Sequence, residues 1–181
     1  MDPDKGDHAI PDYAVMAALI TAMIPPSDRL QYSAARGVTV YADGVFDLFH
    51  PGHIAFLKKA RALGGEGARL LVGVITDEDA LWKRRPVMTH AERLVMVRHC
   101  TEVDEVVERP PLVLTAEFLD ARGVGLVVHG DDSPQTEFFG VAIQRGIMRY
   151  VEYTEGVSTS ELIERARTRA AAPERADVSD R

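Results

Sequence analysis

The sequence has few of the features that mark secreted, membrane-spanning or nucleic-acid-binding proteins. Its only cysteine is Cys100, which excludes a disulfide within the chain and favours a buried thiol in a reducing compartment. The 181 residues carry a formal net charge of -7 without a run of Lys or Arg, which argues against a nucleic-acid surface. An anionic ligand would therefore need a locally positive pocket.

Long hydrophobic segments are lacking too, although residues 13–24 near the amino terminus are strongly apolar. This run falls short of the ~20 residues that span a bilayer. Asp2, Asp4 and Asp7 precede it, where a secretory signal would carry positive charge. We expect a helix that ends at Pro25 and packs on the body or on a second subunit, in a cytoplasmic protein that binds neither membrane nor nucleic acid.

Glycine-rich nucleotide motifs are absent as well. The chain has no Walker A sequence, no dinucleotide-binding fingerprint and no internal repeat. The run Gly64-Gly65-Glu66-Gly67 follows a helix-like segment, so it indicates a C-cap and a turn rather than a phosphate loop.

From residue 38 onward, short β-branched segments alternate with helix-like ones. This alternation predicts an α/β fold with a doubly wound parallel sheet, in which ligands bind beyond the carboxyl ends of the strands at a topological switch point. The predicted strands span 38–42, 70–75, 105–107, 126–128 and 148–151. The predicted helices span 52–63, 90–100, 115–122, 136–145 and 159–170, and Thr89 and Thr115 are expected to cap the second and third of them.

Three regions are expected along the chain. Residues 1–36 would form an N-terminal helical extension, and residues 37–170 the α/β domain. Residues 171–181 are rich in Ala, Glu, Asp and Arg without apolar periodicity, which predicts a disordered tail.

The most informative segment is Asp43–His53, which reads Asp-Gly-Val-Phe-Asp-Leu-Phe-His-Pro-Gly-His between a predicted strand and a predicted helix. Pro51 suits the first helical position, which makes His50 the N-cap and His53 a first-turn residue. Both imidazoles then lie with the free N–H groups and the positive end of the helix dipole, an arrangement that attracts phosphate. Two other interpretations stay open: the histidines are metal ligands, or one of them only caps the helix.

A second phosphate candidate is the hydroxyl run Ser158-Thr159-Ser160 ahead of the last predicted helix. These residues can cap the helix, and its free N–H groups can bind phosphate. A plain capping run is the alternative interpretation.

The segment Asp43–His53 resembles the signature of the HxGH nucleotidyltransferases that include the choline-phosphate, ethanolamine-phosphate and glycerol-3-phosphate cytidylyltransferases. The wording of the motifs is most like that of the choline-phosphate and ethanolamine-phosphate enzymes. The resemblance covers about residues 38–166 in order. Its further motifs lie at 71–78, 83–88, 92–93, 103–107, 114–119, 129–132 and 154–160.

This resemblance implies a Rossmann-like nucleotidyltransferase domain that transfers CMP from CTP to a phosphate-bearing acceptor and releases pyrophosphate. His50 and His53 would stabilise the triphosphate and the charge of the transferring group, and Lys83 would neutralise the α-phosphate and the acceptor. The implied nucleotide-binding residues are Gly44, Val45, Phe46, His50, His53, Gly130, Asp131, Tyr153, Thr154, Gly156, Val157, Ser158 and Thr159. The implied acceptor-binding residues are Asp43, Lys83 and Leu112.

The resemblance also implies Mg²⁺ bound through the triphosphate rather than by protein ligands. Residues 103–106 lie at the subunit contact in relatives, so the resemblance implies a homodimer.

Two positions depart from the family pattern. Tyr153 stands where the lipid-pathway members have an arginine before Thr-Glu-Gly, so a bidentate phosphate ligand is missing there. Arginines elsewhere in the chain could supply the charge: Arg84, Arg85, Arg93, Arg145 and Arg149.

The second departure concerns the acceptor. Leu112 and, roughly, Gln135 stand where choline-phosphate enzymes have aromatic residues, and a quaternary ammonium is best held by aromatic faces. Phosphocholine is therefore disfavoured. A phosphoethanolamine-like phospho-alcohol, a more acidic phospho-compound or a phosphonate is expected instead. The alternatives are an adenylyltransferase that uses ATP, because of Tyr153, and a nucleotide-binding regulator without turnover.

Overall fold

Five parallel strands form a single sheet at the centre of the computed structural model, which describes residues 37–81, 84–131, 137–152 and 156–171. The order across the sheet is β3-β2-β1-β4-β5, and every neighbouring pair is parallel. The strands are β1 (Thr39–Gly44), β2 (Arg69–Val74), β3 (Glu105–Val107), β4 (Val124–Gly130) and β5 (Met148–Val151). The predicted fold class is confirmed.

Six helices lie among the described residues. They are α1 (Pro51–Leu63), α2 (Asp77–Ala80), α3 (His90–Arg98), α4 (Ala116–Ala121), α5 (Gly140–Gln144) and α6 (Thr159–Ala171). The predicted caps are confirmed, because Thr89 and Thr115 each accept a backbone N–H three residues on. None of these helices combines the length and the apolar character needed to cross a membrane.

Several predicted bounds were wrong. β1 continues to Gly44, which pairs with Val74, and β4 runs from Val124 to Gly130, which pairs with Val151. Hydrogen bonds to neighbouring strands extend β1 and β4 beyond their β-branched residues. The sequence did not predict these extensions because Gly is a weak strand former. α3 ends two residues early, α5 begins at Gly140, and the short α2 was missed because a single turn carries no periodicity.

Both faces of the sheet are buried, which is why the strands are apolar nearly throughout. Side chains of one parity, such as Val40 and Val72, pack with Leu57 of α1 and Val97 of α3. Side chains of the other parity pack against α4 and α5 on the opposite face; they include Tyr41, Leu71 and Val127. This doubly wound arrangement accounts for the alternation of strands and helices in the sequence.

The topological switch point lies between β1 and β4. The chain moves outward from β1 through β2 to β3 and then returns to the other side of β1 as β4. The helices that follow β1 and β4 therefore lie on opposite faces of the sheet. In α/β proteins, ligands bind in the crevice beyond the carboxyl ends of two such strands. The predicted N-terminal helix and the predicted tail beyond Ala171 lie outside the described residues, so they and the domain boundaries stay predictions.

Candidate active site

The turn between β1 and α1 has an unusual backbone conformation. Phe46 and Leu48 have φ angles of 54° and 47°, in the left-handed region that is unfavourable for residues with side chains. Arg93 of α3 stabilises this turn from below. Its fully buried guanidinium donates to the carbonyl oxygen of Val45 at 2.5 Å and to that of Ile75 at 2.8 Å.

Asp47, in the middle of the same turn, joins three segments of the chain. Its carboxylate accepts the backbone N–H groups of Val87 at 3.0 Å and Met88 at 2.9 Å. Its carbonyl oxygen accepts a hydrogen bond from the hydroxyl of Thr159 at 3.1 Å. The start of α6 is thereby held beside the start of α1.

The two histidines form a stacked pair at the start of α1. His50 is the N-cap with extended backbone angles, and Pro51 follows at the first helical position as predicted. The ring centroids of His50 and His53 lie 3.8 Å apart, and the ring of Phe49 stacks with His53 at a centroid distance of 5.5 Å. The Nδ1 of His53 accepts the backbone N–H of His50 at 3.3 Å.

Burial keeps both imidazoles neutral in the free protein. It lowers the pKa of His53 to about 3, with a smaller contribution from the neighbouring His50. The pKa of His50 is lowered by burial as well, and the charge of Glu161 partly offsets this. Since Nδ1 of His53 is an acceptor, the neutral ring carries its hydrogen on Nε2, which can donate to a ligand. Nδ1 of His50 is buried and has no hydrogen-bond partner among the described residues.

Gly52 explains why the two histidines are separated by Pro-Gly. A Cβ at this position would lie 3.0 Å from the His50 ring and 3.1 Å from the carbonyl oxygen of Val157. Any larger residue would displace the imidazole or the segment before α6. The glycine therefore lets the two phosphate-binding candidates approach each other.

Asp43, at the end of β1, is a buried carboxyl group on the cavity wall. Burial raises its pKa to about 6, although His129 and a hydrogen bond from the Tyr41 hydroxyl at 3.2 Å act in the opposite direction. The tyrosine has room because the facing residue is Gly73, whose Cβ would lie 2.3 Å from the Tyr41 oxygen. Asp43 thus changes charge close to neutral pH.

A second wall of the cavity comes from β4 and the segments around it. His129 packs against Phe139 with ring centroids 5.0 Å apart, and its Nδ1 lies 3.0 Å from the carbonyl oxygen of Gly130. Leu112 and Phe138 complete this wall. Its leucine and phenylalanine side chains are apolar, in contrast to the imidazoles at the start of α1.

The start of α6 forms the third wall. The hydroxyl of Ser158 accepts the backbone N–H of Glu161 at 3.1 Å, so this serine caps the helix. The guanidinium of Arg84 donates to the hydroxyl of Ser160 at 3.2 Å. The capping interpretation of the hydroxyl run is therefore confirmed for Ser158, while the run as a whole also faces the cavity.

These walls enclose one cavity of about 610 Å³ at the switch point. Ten of the described residues predicted for the site line it: Asp43, Gly44, Val45, Phe46, His50, His53, Leu112, Gly130, Ser158 and Thr159. Gly156 and Val157 lie in the segment just before α6 without lining the cavity. Asp131 also lies off the cavity wall, exposed, with its N–H bound to the carbonyl oxygen of Val151. Lys83, Tyr153 and Thr154 lie outside the described residues.

Sequence reasoning missed several lining residues. Asp47 could have been suspected because it belongs to the signature segment Asp43–His53. Its role in joining three segments depends on contacts with distant residues that the sequence does not show. Phe138 and Phe139 lie in a predicted helix, where aromatic residues are ordinarily read as core. Other unpredicted lining residues are Gly52, Phe56, Ile75, Pro86, His129, Val151 and Glu152.

Carboxylates near the cavity are poorly arranged for a metal ion. Within the described parts of the chain, His, Cys, Asp and Glu side chains form no group of three that could hold one. Both oxygens of Asp47 already accept backbone N–H groups. Among the residues that the structure describes, no third His, Cys, Asp or Glu joins the histidine pair in such a group.

Comparison with known proteins identifies the same family as the sequence motifs. The family model described as cytidylyltransferase-like matches residues 41–165. Choline-phosphate cytidylyltransferase 2 of Arabidopsis thaliana is 41% identical over 141 residues, 74% of this chain and 46% of that protein. The ethanolamine-phosphate cytidylyltransferase of the same plant is 36% identical, over 71% of this chain and 32% of that protein. The chain thus spans less than half the length of these relatives.

A solved structure supports the fold. The lipopolysaccharide core biosynthesis protein from Thermoplasma volcanium GSS1 superposes with a TM-score of 0.53 at 24% identity, over 67% of this chain and 99% of that protein. Together with the signature segment at the switch point, the family match confirms the predicted resemblance. The chain belongs to the cytidylyltransferase-like family.

Proposed function

We propose that this protein transfers CMP from CTP to a small acceptor that bears a phosphate or phosphonate group, with release of pyrophosphate. The observation that carries the proposal is the pairing of two helix starts across one cavity. The neutral His50 and His53 lie at the start of α1, and the hydroxyl run of α6 is held beside them through Asp47. Such a site offers donors to several phosphoryl groups at once.

The proposed chemistry is an in-line displacement. A phosphate or phosphonate oxygen of the acceptor forms a bond to the α-phosphorus of CTP, and the bond from that phosphorus to the bridging oxygen of the β-phosphate breaks. Pyrophosphate leaves with the electron pair, and no covalent enzyme intermediate is needed. The protein contributes position and charge stabilisation, for which the Nε2–H of His53 is already oriented by its Nδ1 hydrogen bond.

We propose that Mg²⁺ accompanies the nucleotide and is held by its phosphate oxygens. When bound, the ion neutralises charge on the β- and γ-phosphates. The protein's own residues then need only to orient the triphosphate. Asp47 is a poor ligand here, since both of its carboxylate oxygens already accept backbone N–H groups.

The acceptor class follows from the apolar wall and Asp43. An ammonium group in the cavity could bind the Asp43 carboxylate, which lines it, and this favours a phosphoethanolamine-like acceptor. Leu112 lines the cavity at a position where the family resemblance leads us to expect an aromatic residue in a choline-phosphate enzyme. Its aliphatic side chain offers no aromatic face to a quaternary ammonium group, which disfavours phosphocholine. Phe138 and Phe139 supply aromatic surface from the next segment, so phosphocholine is retained as a test substrate.

We also propose a homodimer. β3 is an edge strand, and α3 beside it exposes Val95 and Met96 to 50% and 42%. The segment 103–106, at which the family resemblance implies the subunit contact, leads into this edge. Sedimentation equilibrium is expected to give twice the chain mass, and a concentration-independent monomer would refute this part of the proposal.

A pyrophosphate-release assay tests the proposed activity. It is run with CTP and, separately, ATP against phosphoethanolamine, phosphocholine, glycerol phosphate and several phosphonates. We expect release with CTP and at least one acceptor, and His50→Ala should lower the rate about 10²- to 10³-fold because a charge-stabilising donor is lost. Preference for ATP would overturn the nucleotide assignment. No release with any acceptor would favour a binding protein without turnover.

A further inference from the structure

Among the described residues, the cavity wall offers little positive charge for a triphosphate. Among the described residues that line it, Asp43, Asp47 and Glu152 carry carboxyl groups, and Arg84 supplies the one guanidinium or ammonium group. A nucleoside triphosphate brings several negative charges into this space. Among the described walls, the phosphates are therefore expected to bind near Arg84.

Arg84 follows α2 in the chain, and its side chain reaches the start of α6. Its side chain donates to the hydroxyl of Ser160 at 3.2 Å, while its backbone N–H donates to the carbonyl oxygen of Ala80 at 3.2 Å. The guanidinium thus bridges the segment after α2 and the first turn of α6. Backbone N–H groups at that turn and the guanidinium can bind the same anion.

The other arginines considered for this role are engaged elsewhere. Arg93 is fully buried beneath the turn, where it binds carbonyl oxygens and Asp77. Arg145 forms a two-pronged pair with Asp120. Two more do not reach the cavity wall: Arg149, whose guanidinium donates to backbone carbonyl oxygens, and the exposed Arg85.

We propose that Arg84 binds the β- and γ-phosphates of the nucleotide together with the first turn of α6. It would supply the bidentate ligand that the segment before Thr154 lacks, from a different element of the fold. The assignment rests on the proposed function, because it presumes a nucleoside triphosphate in this cavity. The fork of the guanidinium suits two phosphate oxygens, and a lysine in its place would keep only the charge.

Equilibrium binding to a series of nucleotides tests this assignment. Isothermal titration with CTP, CDP and CMP in the presence of Mg²⁺ compares the unaltered chain with Arg84→Gln and Arg84→Lys. Arg84→Gln is expected to weaken CTP binding about tenfold to a hundredfold and to leave CMP binding within about twofold, since a charge-assisted hydrogen bond to the distal phosphates is lost. The CTP affinity of Arg84→Lys should lie between that of Arg84→Gln and that of the unaltered chain.

Arg167→Gln is the matched control. Arg167 lies on α6, away from the cavity wall, is 76% exposed at its side chain and carries the same charge as Arg84, so its removal should leave all three affinities unchanged. Circular dichroism checks that each variant is folded.

The remaining outcomes separate this inference from the proposed function. Equal CTP affinity of Arg84→Gln and the unaltered chain, or an equal loss for CTP and CMP, would overturn the assignment alone. A raised KM for the acceptor with unchanged CTP affinity would also overturn it, and would place Arg84 at the acceptor. If the unaltered chain binds no cytidine nucleotide, the proposed function fails first and the assignment fails with it.

Discussion

Asp43 is the residue whose charge state depends most directly on the conditions of an assay. Its pKa of about 6 means that the carboxyl is ionised above that pH and neutral below it. Above pH 6 it can hold an ammonium group, and below pH 6 it loses that attraction. His50 and His53 do not follow the same pattern, because burial lowers the pKa of each.

This difference predicts a pH dependence that varies with the acceptor. The KM for phosphoethanolamine should rise more steeply than the KM for glycerol phosphate as the pH falls from 7 to 5, because only the first acceptor carries an ammonium group. Both acceptors share the phosphate ionisation near pH 6, so it cancels in the ratio of the two KM values. Asp43→Asn should make that ratio independent of pH. A constant ratio for the unaltered chain would refute a contact between Asp43 and the ammonium group.

Gly52 gives a second prediction at the same scale. Gly52→Ala places a Cβ about 3 Å from the His50 ring and the Val157 carbonyl, so the imidazole must move. We expect kcat to fall at least about tenfold, because such displacement disturbs a positioned donor. Gly140→Ala is the control, since a Cβ there meets nothing within 4 Å. Equal kcat values for both variants would show that the close approach at Gly52 is unimportant.

At the scale of elements, the turn between β1 and α1 depends on α3. Arg93 binds two backbone carbonyl oxygens of neighbouring loops and the carboxylate of Asp77 at 2.7 Å. The left-handed residues Phe46 and Leu48 lie in this turn, so the bonds from Arg93 offset their unfavourable conformation. The cap at Thr89 fixes the start of α3 and therefore the position from which the Arg93 side chain extends.

Replacing Arg93 should therefore destabilise the whole domain. Arg93→Met leaves buried carbonyl oxygens without a donor, and we expect the free energy of unfolding to fall by about 3 kcal/mol in urea titrations. Arg98→Met on the same helix removes an exposed partner of Glu108 and should cost less than about 1 kcal/mol. A similar small effect for both variants would contradict the role assigned to Arg93.

The elements also show what the sequence can predict. Helix starts were predictable where capping chemistry is local, as at Thr89, Thr115 and Pro51. The extension of β4 through His129 and Gly130 was not, because it comes from hydrogen bonds to β5 rather than from the propensity of these residues. The same limit applies to β1 at Gly44.

At the scale of the whole molecule, the site is assembled from segments far apart in the chain. The signature segment was recognisable because its residues are contiguous, and its place at a strand end followed from the fold class. The bond from Arg84 to Ser160 and the clamp at Asp47 were not predictable, since each depends on how loops from different strands meet at the switch point. Tertiary packing, rather than local preference, decides such contacts.

The central claim is that this cavity joins CMP to a phosphate-bearing acceptor. The most direct measurement is ³¹P NMR of the products formed from CTP, Mg²⁺ and phosphoethanolamine. We predict two coupled resonances of a new diphosphate diester, in amounts equal to the pyrophosphate released, and their loss in His50→Ala. The measurement is repeated with each of the other acceptors. The claim would be contradicted if, with every acceptor, CTP stayed unchanged or gave CMP and pyrophosphate without a diester.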